Sequence, residues 1–198
     1  METVTWKENE IEREFSQCAT LKDLIMSLEA RFAEKGEVIC GLSVNGMPFS
    51  EADEIKFESS AVNEISELSV TTNSPQILVS DSLKSLDEWI PKVKELALRA
   101  SEMFRNHEEE GLYKAFSDVT ESCMWLSDAL TALKPFLFKN INNLEFEQKW
   151  HQTESNNLLV VKEMFKAYDG KDWVLLSDVI EYDLTTILDK WLELLRSV

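Results

Sequence analysis

Two stretches of this 198-residue chain repeat one another, and that duplication constrains the fold more than any other feature. Residues 101–121 read S-E-M-F-R-N-H-E-E-E-G-L-Y-K-A-F-S-D-V-T-E, and residues 162–181 read K-E-M-F-K-A-Y-D-G-K-D-W-V-L-L-S-D-V-I-E. Glu102-Met103-Phe104 answers Glu163-Met164-Phe165, and Ser117-Asp118-Val119 with Glu121 answers Ser177-Asp178-Val179 with Glu181. Arg105 matches Lys166 and Tyr113 matches Trp173, with one extra residue before the turn in the first copy. In each copy a glycine, Gly111 or Gly170, separates two apolar periodic segments, which is the pattern of a helical hairpin. A chain that carries such a hairpin twice is directed toward a four-helix bundle, where each hairpin covers the apolar face of the other.

The stretch before the duplication has strand chemistry as well. Residues 11–18 place Ile11 and Phe15 on one side of an extended segment and are expected as a strand. Thr20 stands where an N-cap belongs, and Leu21, Leu24, Ile25, Leu28 and Phe32 follow at helical spacing until Gly36, which predicts a helix over about 21–35. Residues 38–44 are rich in β-formers and end at Asn45-Gly46, a hairpin turn signal, with Met47-Pro48-Phe49 as the return. Residues 68–72, L-S-V-T-T, read as a closing strand. Strand, helix, hairpin and closing strand resemble the β-grasp, or ubiquitin-like, fold in element order. The expected class is therefore α+β: a β-grasp-like domain over 1–74, then an all-α four-helix bundle over 75–198, with the boundary at Asn73-Ser74-Pro75.

Within the bundle the hairpins are expected at about 76–138 and 143–198. The first helix, about 76–105, turns Ile77, Leu83, Leu86, Ile90, Val93, Leu96 and Ala97 inward, with Pro91 inside it. The second, about 112–133, presents Phe116, Val119, Cys123, Leu126 and Leu130 and ends near Pro135, and residues 139–143 join the hairpins. The third, about 144–168, carries Phe146, Trp150, Leu158, Val161 and Phe165 on its core stripe, and the fourth, about 173–195, carries Leu176, Ile180, Leu184, Ile187 and Trp191. Residues 170–184, G-K-D-W-V-L-L-S-D-V-I-E-Y-D-L, resemble the last helix of a bacterial family that pairs a β-grasp-like N-terminal region with a helical bundle. That resemblance implies the two-part architecture and no activity.

Composition narrows the chemistry. The five glycines are isolated, so neither G-x-G-x-x-G nor a P-loop can be assembled and no nucleotide cofactor is expected. Three widely spaced cysteines, Cys18, Cys40 and Cys123, argue against a disulfide framework and point to reduced thiols in the cytoplasm. No apolar run approaches the ~18–20 residues of a membrane span. The net charge of −17 is spread over both parts, so nucleic acid and anionic membranes are disfavoured as partners; a basic protein partner or simple solubility would account for it, and solubility is the commoner reason for an acidic surface.

Three constellations stand out. Glu147, His151 and Glu154 would share one side of a helix, a ligand set for a transition metal, but neither of the two histidines, His107 and His151, lies in the Glu-x-x-His motif of di-iron bundles. The metal reading is therefore the third choice. The repeated pairs Asp118 with Glu121 and Asp178 with Glu181 are expected on solvated faces where a basic partner could dock. Trp125 lies beside Met124 toward the edge of its stripe, and it and Tyr113, the counterpart of Trp173, are candidate aromatic anchors. The expected function is a non-enzymatic adaptor, chaperone-like or regulatory protein that binds another protein through bundle grooves or a sheet edge. The alternatives are an acidic inhibitor that mimics nucleic acid and the metal-binding bundle.

Overall fold

A computed structural model describes residues 1–50, 60–106 and 110–198, so His107 lies outside the described residues. The chain divides into two compact units, Met1–Leu78 and Val79–Val198. The class is α+β, with a four-stranded antiparallel sheet followed by a helical region.

In the first unit β1 (Glu2–Lys7) leads directly into α1 (Glu8–Glu14), then α2 (Leu21–Glu34), β2 (Val38–Val44), β3 (Met47–Phe49), a 3-10 turn at Val62–Glu64 and β4 (Glu67–Asn73). The spatial order is β1-β4-β2-β3, and every pair is antiparallel. Residues 11–18 are thus not a strand: Ile11 belongs to α1 and Phe15 closes it, both buried. A spacing of four is same-sided in a strand and in a helix alike, so the pattern alone could not separate them. The sheet's inner face carries Trp6, Leu68 and Val70 against Leu24, Leu28 and Phe32 of α2. Thr20 caps α2 in a reciprocal box, its hydroxyl accepting from the Asp23 amide while the Asp23 carboxylate accepts from the Thr20 amide at 3.0 Å. At the hairpin Asn45 and Gly46 both have positive φ, 54° and 78°, as a type I′ turn requires. The Asn45 side-chain oxygen then accepts from the Ser66 amide at 2.8 Å, pinning that turn to the start of β4.

The second unit is a bundle of long helices. α3 (Pro75–Arg105) begins on a proline, whose missing amide costs nothing at a first helical position. α4 (Leu112–Ile141) runs straight through Pro135 rather than ending near it. Only the two residues Asn142 and Asn143 then separate it from α5 (Leu144–Asp169), instead of the five-residue joint read from sequence. Asn142 adopts φ 43° as the left-handed cap of α4, and the Asn143 side chain accepts from the amides of Glu145 and Phe146 to start α5. The last column comprises α6 (Trp173–Asp178), a π-helical turn (Val179–Leu184) and α7 (Thr185–Arg196).

The bundle core follows the expected stripes of α4 and of the last column, where Leu176, Ile180, Leu184, Ile187 and Trp191 are all buried. Two stripes need correction. Ile77 is 49% exposed, so α3 begins its inward face later, at Leu86, with Leu83 and Leu96 only partly covered. On α5 the buried row is Phe146, Trp150, Thr153, Met164 and Ala167, while Leu158 and Phe165 are exposed. The inward row includes the polar Thr153, whose hydroxyl is satisfied by the Lys149 carbonyl at 2.8 Å, so an apolar count selects the neighbouring row instead.

Candidate functional site

Contacts at both ends of α4 and α5 show that these helices lie antiparallel. Phe116 stacks on Tyr168 at 3.9 Å and meets Phe165 edge-on at 5.2 Å, while Phe138 meets Trp150 at 5.8 Å. Lys134 reaches Glu154 at 2.8 Å. Between these ends the seam opens into a cavity of about 480 Å³. Thr120, Cys123, Met124, Ser127 and Leu130 line it from α4; Glu154, Ser155, Asn157, Leu158, Val161 and Phe165 line it from α5. Trp191 of α7 also lines it, fully buried.

The lip of this groove is apolar and wet. Met124 is 66% exposed and Leu158 54%, and Phe165 is exposed as well. Tyr113 stands exposed three helical turns before Met124, on the same row of α4. Large apolar side chains left in water along two adjacent helices are the arrangement expected of a docking surface. Cys123 contributes a thiol to the groove, yet burial pushes its pKa up to about 11, so it is protonated at neutral pH and is no nucleophile. Burial also raises the Cys18 thiol. The indole N–H groups of Trp150 and Trp191 are buried with no acceptor among the described residues, although the two rings pack edge-to-face at 5.0 Å.

The seam between α3 and the last column is built differently. There the Ser177 hydroxyl donates to the Ser101 carbonyl at 2.9 Å, buried from water. Lys94 bonds Asp189 at 2.7 Å, Asp87 pairs with Arg196, and Arg105 pairs with Glu181 and sits 3.7 Å from Asp178. Glu181 holds the Arg105 guanidinium above its ordinary pKa, chiefly through their hydrogen bond. The π turn begins one residue after Asp178 and contains Glu181, so the extra residue of that turn falls beside this cluster.

The sequence candidates therefore separate. Glu121 stands exposed on α4 near the groove, accepting from Ser117 at 2.8 Å, and Asp118 is half-buried one turn earlier. Trp125 is exposed on the other flank of Met124, with its ring 4.2 Å from Trp89 of α3. Asp178 and Glu181 belong to the other seam. Glu147, His151 and Glu154 do not assemble a metal site: Glu154 turns to Lys134, with His151 3.4 Å away, and no group of three or more metal-ligating side chains forms among the described residues. Sequence reasoning missed Met124, Leu158 and Phe165 as a surface, having assigned the last two to the core. The signal was an apolar arc on α5, L-L-V-V at 158–161, wider than one buried stripe needs.

Among the described residues, the edge strands of the sheet are β1 and β3. β3 is three residues long and includes Pro48, which has no amide to donate, so it makes a poor template for an added strand.

Residues 81–194, more than half of the chain, match the model of a family described as a domain of unknown function (DUF8042), and the chain belongs to that family. The match spans the bundle from α3 into α7 and includes both seams. No curated protein and no solved structure matches the chain. Among the described residues no helix is long and apolar enough to cross a membrane.

Proposed function

We propose that this member of the DUF8042 family is a non-enzymatic, cytoplasmic protein-binding module of the adaptor or regulatory kind, and that it binds through the groove between α4 and α5. One observation carries the reading: Met124, Leu158 and Phe165 stand in water around an apolar cavity of about 480 Å³. Burying such side chains against a partner contributes about 25 cal/mol per Å² of apolar surface removed from water, and anchors of this kind dominate binding at protein interfaces. The high pKa of Cys123 favours binding over thiol chemistry in the same groove. The groove is preferred to the sheet because β3 offers a short, proline-bearing edge and β1, although six residues long, presents mostly exposed polar side chains rather than apolar anchors.

Capture from the native host's lysate tests this, with the wild-type chain and a Met124→Glu variant as baits at low and at moderate salt. The expected result is a stoichiometric partner, which can be an untagged copy of the chain itself, retained at moderate salt and lost with the variant. A partner held equally by the variant would move the site elsewhere. One that leaves as salt rises would favour charge-driven binding of a basic protein instead.

A further inference from the structure

We infer that the occupant of the α4–α5 face is a second copy of this chain, docked about a two-fold axis that runs parallel to the two helices. The inference rests on the reading of that face as a docking surface and goes on to name its partner.

The argument is the placement of charge on either side of the apolar lip. On α4 the groove-lining residues Thr120 and Ser127 lie at i−4 and i+3 from Met124, while Glu121 and Asp128 lie at i−3 and i+4. At ~100° per residue the first pair faces the groove and the second stands on the opposite flank of Met124. On α5 Glu154 and Val161 line the groove on one side of Leu158 and Ser155 lines it on the other; Lys162, two turns beyond Ser155, is exposed and does not line the cavity. The face thus carries an acidic margin along α4, an apolar centre and a basic residue on the α5 margin. Glu121, Asp128 and Lys162 are all exposed, and none makes an ion pair with a described residue.

Register decides how two such faces can meet. Phe116 opposite Phe165 and Lys134 opposite Glu154 fix the antiparallel alignment, which brings Glu121 level with Lys162. An axis parallel to the helices lays α4 of one copy over α5 of the other. Glu121 then meets Lys162 of the second copy, and symmetry forms the pair twice around the joined apolar centres. An axis perpendicular to the helices within the face would lay α4 on α4 and bring the acidic margins of the two copies, Glu121 and Asp128, together, which like-charge repulsion disfavours. The face is also large enough. From Tyr113 to Pro135 it extends ~33 Å at ~1.5 Å per residue, and two helices are ~20 Å wide. That is about 650 Å² per copy, toward the low end of specific interfaces, which bury roughly 600–1,000 Å² per partner.

Sedimentation equilibrium of the full chain across a concentration series tests the inference, with unchanged helical circular dichroism required of each variant. The wild type is expected to reach twice the chain mass of 22.8 kDa. Glu121→Lys alone and Lys162→Glu alone should each weaken association about tenfold or more by creating two like-charge contacts, and the double variant should restore it. A wild type that stays monomeric overturns the inference. So does a dimer indifferent to either reversal, or one weakened by both single changes and not rescued by the pair. A monomer that still captures a different protein through Met124 leaves the docking reading standing and gives the face to another partner, whereas failure of both experiments removes both.

Discussion

The two seams of the bundle are made from matching pieces of sequence and finished in opposite ways. In the second copy of the repeat Ser177 turns inward to the Ser101 carbonyl, and Glu181 pairs across the seam with Arg105. In the first copy the matching Ser117 turns to Glu121 on its own helix, and Lys166, the counterpart of Arg105, turns to Glu163. Phe104 is fully buried while its counterpart Phe165 is 45% exposed. The counterparts of the groups that join α3 to the last column thus bond along their own helices on the α4–α5 side, and that seam also holds a cavity. One seam is closed by hydrogen bonds and ion pairs between helices, and the other, although joined at its ends, leaves a cavity with exposed apolar side chains around it.

This contrast can be broken by matched substitutions. The largest difference is expected between Leu188→Ala and Leu158→Ala. Leu188 is fully buried, so its truncation should cost about 2–5 kcal/mol, whereas the exposed Leu158 should change stability by about 0.5 kcal/mol or less. Urea unfolding followed by circular dichroism measures both. Equal losses would mean that the open seam is also structural. Next come the two serines: Ser177→Ala removes a buried hydrogen bond between helices and should cost about 1 kcal/mol, while Ser117→Ala should be close to neutral.

The sequence made the pieces legible and left the finish hidden. Capping by Thr20, the Asn45-Gly46 hairpin and the apolar rows of α4 and α7 all follow from local chemistry, because each depends on residues within a few positions of one another. On α5 the repeat pairs Phe165 with Phe104, but a sequence alignment does not say which of two adjacent helical rows faces inward. Thr153 on the buried row and Leu158 beside it reverse the simple apolar rule. The π turn was equally unreadable, since it differs from an α turn by one residue of hydrogen-bond spacing. The exposed apolar face escaped notice because its side chains have core chemistry in an uncovered position.

A smaller effect sharpens the picture of the groove. Cys123 lines it, but with a thiol pKa of about 11 only roughly a thousandth of it is thiolate at pH 8. Cys40, exposed at the β2 bulge, should be alkylated first and Cys123 last, as followed by peptide mass spectrometry. Prompt labelling of Cys123 in the folded chain would show that the groove opens further than its cavity implies.

The central claim is that the open seam is the working face, and charge insertion at exposed apolar side chains tests it most directly. Met124→Glu, Leu158→Glu and Phe165→Glu probe that seam, and Val174→Glu, Leu175→Glu and Tyr182→Glu probe exposed positions on the last column. Association with the partner, whether a second copy or another protein, and Tm are measured for all six. The account predicts that every variant keeps its Tm within a few degrees and that only the first three lose association. Loss of association from the last-column variants with the first three unaffected would contradict it.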